Sequence, residues 1–397
     1  MSKGLKATVN PSVLVWARKT ASYTVQSAAE KLGYDEGRIV SWEQGTEQPS
    51  IPQLRKLADL YKRPLAVMYL PEPPMTFQAM HDFRRLPESG HRDFSPGLAL
   101  EIRTAQQRRQ LALELYAEDG EGFATFNLSA SLKSSTEAIG ESIRKALAVS
   151  LSDQAKWKDP RVAFHAWRSK IEELGVLVFQ ASRIDSEEAS GFAFYAEQLP
   201  FIVVNRKDVW GRRVFSLFHE LAHLALHRSG VSDLDSSGIR HASDQRIEAY
   251  CNQVAASVLM PKSSFLSEPI IANGDADRRD WSDADIENLA KRYSVSREAV
   301  VRRLLTFGRT TEAFYIQKRA EYAREYAALR RRQRELPEKK PIPRNMPRET
   351  VNDAGRPLVM KLLSHYHSER LSLSELSGYL GVKTKHIAGI EQALGLA

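Results

Sequence analysis

Residues 215–227, FSLFHELAHLALH, set His219, Glu220 and His223 inside an apolar run. Phe215, Leu217, Phe218, Leu221, Ala222, Leu224 and Leu226 make this helix apolar nearly all round, so it is expected to be buried. Buried ionisable groups are costly unless something compensates them. The spacing supplies a compensation: His219 and His223 stand at i and i+4 on one helical face. Two imidazoles so placed can share one zinc ion, with Glu220 beside the open coordination position as a general base.

A catalytic zinc needs a third protein ligand and leaves the fourth position to water. On a straight helix His227 would lie about 12 Å along the axis from His219, too far to converge with it on one ion. The longer motif with a glycine three and a histidine six positions beyond the second histidine is also absent, since Leu226 and Ser229 stand there. The better candidate lies in DQRIEAYCNQVAASVLMP, residues 244–261. Ile247, Cys251, Val254, Ala255 and Val258 form its apolar stripe, Pro261 ends it, and Glu248 sits on this otherwise buried helix. Asn252, one turn on, could hydrogen-bond a ligand histidine from behind. His241 and Tyr250 are further polar groups nearby, and either could face the reaction centre.

Other elements must hold these helices in place. LGVLVF at 174–179, GFAFY at 191–195 and PFIVVN at 200–205 read as short strands by alternation and β-branching. Leu98, Ile102, Leu111 and Leu115 lie on one long helix, 134–150 reads as another, and Trp157 and Trp167 suggest a packed helical layer. His81 and His91 read as loop residues outside any ligand set. His365 and His367, two apart, share no helical face. A helix–turn–helix texture occurs three times: at 24–45, at 286–308 and around Gly381.

Bulk properties bound the reading. The chain has 397 residues, enough for two or three domains, and 57 Lys+Arg against 49 Asp+Glu give a net charge of +8. That permits nucleic-acid contact without requiring it. The single cysteine, Cys251, excludes an internal disulfide and a Cys-rich zinc finger. No apolar stretch approaches the length of a membrane span, and the start, MSKGLKATVN, has no signal-peptide core. The expectation is a cytoplasmic protein.

HELAH followed by IEAYCNQVAASVLMP resembles the ImmA/IrrE family of zinc metallopeptidases, over roughly residues 160–310. The resemblance implies His219, His223 and Glu248 as metal ligands and Glu220 as catalytic base. It also implies a small sheet packed on the active-site helix, whose edge strand holds a substrate peptide in extended form. Residues 11–70 resemble the XRE (Cro/C1-type) helix-turn-helix domain, including WEQG and Pro49 before the fourth helix. Two features depart from that pattern: Val25 replaces the glutamine common after the helix-starting threonine, and the reading helix begins Asp35-Glu36. Carboxylates there repel phosphates, leaving Lys31 and Arg38 as the evident DNA contacts.

The expected organisation is an XRE-like domain over 1–74, a helical connection over 75–155, a metallopeptidase over 156–310, and a basic helix, linker and helical segment over 311–397. The expected fold class is mainly α and multi-domain: a helix-turn-helix head with an α+β zincin-like peptidase. RRRQR, at 330–334, reads as a solvated face. By resemblance, the function is zinc-dependent cleavage of a specific repressor or antitoxin. The alternative is a transcription regulator whose zinc domain is a sensor. The sequence does not fix the oligomeric state.

Overall fold

The computed structural model describes residues 5–74, 94–232, 242–272, 279–335 and 344–396. The architecture is mainly α, in two compact units: Met1–Gln107 with Arg183–Asp185, and Arg108–Ser182 with Ser186–Ala397. His81, His91 and His241 fall outside the described residues.

In the first unit, α1 (Pro11–Thr20), α2 (Val25–Leu32), α3 (Glu36–Gln44) and α4 (Ile51–Tyr61) precede a short 3-10 turn, Leu65–Tyr69. Leu14, Ala17, Ala28, Ile39, Trp42, Leu54, Leu57 and Met68 close into one core. Thr24 starts α2 through a reciprocal capping box with Ser27. Gly33 ends it at φ 68, left-handed backbone that a Cβ would strain, and this makes the tight turn into α3. Arg18 in the last turn of α1 holds Glu43 of α3 at 2.7 Å.

The second unit includes the end of α5 (Pro96–Asp119), then α6 (Thr136–Ala146), α7 (Leu151–Lys156) and α8 (Pro160–Glu172). These are followed by β1 (Leu177–Ala181), β2 (Gly191–Phe194), β3 (Phe201–Asn205), α9 (Trp210–Ala225), β4 (Gly230–Ser232) and α10 (Ala242–Leu259). The strands join in the order β1-β3-β2-β4. β1 runs parallel to β3, while β2 is antiparallel to β3 and β4. Leu177–Ala181 and Phe201–Asn205 are buried throughout, because the sheet is covered on both faces. α9 packs on β2 and β3 on one side and on α8 and α10 on the other. One hydrophobic core runs from Phe126 to Tyr315 through Trp167, Phe218, Val254, Ile286 and Val300. It takes in α13 (Asp283–Tyr293) and α14 (Arg297–Thr306), which come after the short α11 (Lys262–Leu266) and α12 (Pro269–Ala272).

After α15 (Glu312–Glu335) come α16 (Met346–Ala354), α17 (Arg356–His367), α18 (Leu373–Leu380) and α19 (Ile387–Leu394). α16 packs back onto β1. Arg206, just past β3, pairs with Asp353 at 3.1 Å and Glu349 at 3.3 Å, and Arg108 donates to the Asp353 carbonyl at 2.7 Å. The Leu177 amide and Ala181 carbonyl of β1 bond toward the β3 side, so the Val178 carbonyl points away from it. That carbonyl accepts from Arg168, and a Cβ on Gly355 would lie 3.1 Å from it. The outer edge of β1 is therefore closed, which leaves β4 as the other sheet edge. Among the described residues no helix is long and apolar enough to cross a membrane.

Candidate metal centre

α9 buries residues on every side, Val214, Leu217, Phe218, Leu221 and Leu224 among them, and so carries its polar residues inward as well. His219 is 0 % exposed, Glu220 1 % and His223 5 %. Glu248 approaches from α10. His219 Nε2 lies 3.1 Å from His223 Nε2 and 3.2 Å from Glu248 Oε2, and His223 Nε2 lies 3.5 Å from Glu248 Oε1.

Asn252, also on α10, has its Oδ1 2.9 Å from His219 Nδ1. The amide oxygen accepts from an Nδ1–H, which turns the Nε2 lone pair toward His223 and Glu248. Three acceptors then face one another, and only a cation or a proton between them relieves their repulsion. Zinc bonds of about 2.0–2.1 Å in tetrahedral geometry space ligands about 3.3–3.4 Å apart, close to the triangle formed here. The donor set, two imidazoles and a carboxylate, is one zinc accepts.

The charges agree with this. Burial would lower the His219 imidazole, but its hydrogen bond to the Glu248 carboxylate, with the charges of Glu248 and Glu220, raises it. Burial lowers His223, and proximity to His219 adds to the effect despite Glu248. Burial opposes the ionised form of Glu248, yet the two imidazoles hold it well below the usual carboxylate range. A carboxylate that stays charged at such a depth is suited to a metal cation.

Glu220 is directed toward β2. A Cβ on Gly191 would stand 2.7 Å from the Val203 carbonyl and 3.2 Å from Glu220 Oε1, so glycine leaves the space this carboxylate occupies. Gly191 pairs with Ser232 of β4, which puts this last strand of the sheet one strand from Glu220.

The far end of α10 is fixed by side chains. Its last turn leaves carbonyls without helical partners. Arg144 donates to the Val258 carbonyl at 2.8 Å, Gln154 to Leu259 at 2.9 Å and Arg303 to Met260 at 2.7 Å. Arg303 is 2 % exposed and pairs with Glu137 at 2.8 Å. These three residues and Gly191 escaped the sequence reading, because each works through a partner distant in sequence and carries no local signature.

The other candidates are placed as follows. Tyr250, two positions from Glu248, points about 200° around α10 from it, and its ring belongs to the hydrophobic core. Cys251 is fully buried, and burial with the nearby Glu248 and Glu220 charges pushes its thiol well above the ordinary range. His227 was expected at the end of a straight helix. Instead α9 stops at Ala225, and His227 adopts left-handed backbone at φ 55 and stacks on Tyr195 at 4.5 Å. Lys31 and Arg38 are exposed in the first unit, where Asp35 caps α3 by accepting from the Gly37 amide at 2.8 Å.

Residues 171–305 match the family model described as the IrrE N-terminal-like domain of peptidase family M78, and residues 14–68 match one described as Helix-turn-helix. A comparison with curated proteins finds no match. The chain thus joins an XRE-type helix-turn-helix domain to an ImmA/IrrE-like peptidase-family domain, the architecture the sequence resemblance implied.

Proposed function

We propose that the chain is a zinc-dependent endopeptidase that cleaves a specific regulatory protein, a repressor or an antitoxin. The convergence of His219, His223 and Glu248 to within 3.1–3.5 Å carries this reading. These three residues would hold zinc, which supplies Lewis-acid chemistry to the scissile carbonyl and the attacking water. Asn252 keeps His219 in the tautomer that can bind metal. Glu220 takes the proton from the attacking water and delivers it to the departing amine. The edge of β4 receives the substrate as an added strand, its backbone paired beside Ser232 and its scissile bond passing Glu220. The helix-turn-helix head brings the peptidase to DNA, with Lys31 and Arg38 as exposed cations, or to the DNA-bound regulator itself.

Elemental analysis of purified protein tests the ligand set. About one zinc per chain is expected, retained in His227→Ala and lost in His223→Ala and Glu248→Ala. Undiminished zinc in Glu248→Ala would remove it from the set. Glu220→Gln is expected to keep zinc and fold while losing cleavage of the partner regulator. Cleavage at the parent rate would refute the assigned base.

A further inference from the structure

The C-terminal helices repeat the head. TVQSAAEKLGYDEGRIVSWEQG, starting at Thr24, and SLSELSGYLGVKTKHIAGIEQA, starting at Ser372, align without insertion or deletion. Leu32, Gly33, Ile39, Glu43 and Gln44 coincide with Leu380, Gly381, Ile387, Glu391 and Gln392. The structures of the two stretches follow the same alignment. Thr24 and Ser372 each start a helix of 8 residues with a capping box. Gly33 at φ 68 and Gly381 at φ 66 end those helices in left-handed backbone. Ala28, Ile39 and Trp42 are buried in the first copy, and Leu376, Ile387 and Ile390 in the second.

Even the tie to the preceding helix recurs. Arg18, in the last turn of α1, meets Glu43, and His367, the last residue of α17, meets Glu391 at 2.9 Å. The texture at 286–308 differs: its second helix, α14, buries Val300, Val301 and Leu304 in the peptidase core.

The two copies differ in charge. Where the head starts its reading helix with Asp35, Glu36, Gly37 and Arg38, the C-terminal copy has Lys383, Thr384, Lys385 and His386. Lys383, Thr384 and Lys385 are exposed. The head spends a carboxylate capping α3, whereas no side chain caps the turn at Lys383. In a helix-turn-helix this end of the second helix meets the duplex, and backbone affinity comes from lysine and arginine against phosphate.

We propose that residues 356–396 form a second helix-turn-helix that binds duplex DNA, with Lys383 and Lys385 on the phosphate backbone and the exposed turn that leads into α19 toward the groove. This reader belongs to the same compact unit as the metal centre, and its assignment does not depend on peptidase activity.

Fluorescence anisotropy of the full chain on a labelled mixed-sequence duplex of three helical turns, between about 50 and 200 mM KCl, tests it. The parent is expected to bind with a steep salt dependence. Lys383→Ala with Lys385→Ala should weaken binding roughly tenfold and reduce the log–log salt slope by about 1.8. The corresponding double arginine variant should restore both, and thermal melting should be unchanged in each, since both side chains are exposed. Parent-like affinity and slope in the double alanine variant would overturn the proposal. So would failure of the parent to bind the duplex at the lowest salt.

Discussion

Asn252 is the position where a small change should act on the metal and on little else. In Asn252→Ala the His219 Nδ1–H loses its acceptor at 2.9 Å, on a ring that is 0 % exposed. A buried donor left unsatisfied costs about 1–3 kcal/mol. The ring can avoid that cost by moving its proton to Nε2, but Nε2 is the atom that faces the metal. Either outcome falls on zinc binding, as a loss of about 10–100-fold in affinity. Asn252→Asp keeps an acceptor in place and should retain most of the affinity. Competition against a fluorescent zinc chelator near neutral pH reads the effect directly. Zinc affinity within about twofold of the parent in Asn252→Ala would show that Asn252 does not orient His219, and the tautomer argument would fall.

Gly191→Ala should cost about 1–3 kcal/mol in chemical denaturation, because its Cβ meets the Val203 carbonyl at 2.7 Å, and it should depress cleavage further by displacing Glu220. Arg303→Ala breaks a pair whose arginine is 2 % exposed and strips the Met260 carbonyl, so a loss of roughly 3 kcal/mol is expected on urea titration. Acid stability reports on His165, whose imidazole burial pushes down to about 4, helped by Arg168, Arg161 and Arg213. The unfolded ring takes a proton near pH 6.5 and the folded one near pH 4, so stability falls as pH drops through that window, by roughly 1–2 kcal/mol after screening of this half-buried group. His165→Phe should flatten the urea midpoint across the window, and an unchanged slope would contradict the assignment.

The sequence disclosed what depends on local spacing. The i, i+4 histidines, the carboxylate on an apolar helix and the asparagine one turn later each follow from helical periodicity, and the structure brings these side chains together. The strands at 174–179, 191–195 and 200–205 appear as Leu177–Ala181, Gly191–Phe194 and Phe201–Asn205, because β-branched runs mark strands well but mark their ends poorly. β4, Gly230–Ser232, is too short to show alternation and escaped notice. The left-handed turn at His227 had no glycine to announce it. The least legible features join distant segments: Arg206 to Glu349 and Asp353, Arg303 to Glu137, and the guanidinium groups that close the end of α10. Their spacing follows no period, so only the folded chain reveals them.

The closure of β1 by α16 has a consequence for biosynthesis. Gln180 of β1 and Asn352 of α16, in contact at 3.5 Å, are 172 positions apart. At about 5–20 residues per second, a ribosome needs roughly 10–35 s to deliver the second after the first. Through that interval the outer edge of β1 is an unoccupied template for any extended chain, the situation in which nascent proteins aggregate or recruit chaperones. The arginines at 108, 168 and 206 are all made before the helix they grip, so they stand ready as a preformed dock. Truncation ahead of Met346 should therefore yield a protein that is synthesised normally but collects in the insoluble fraction.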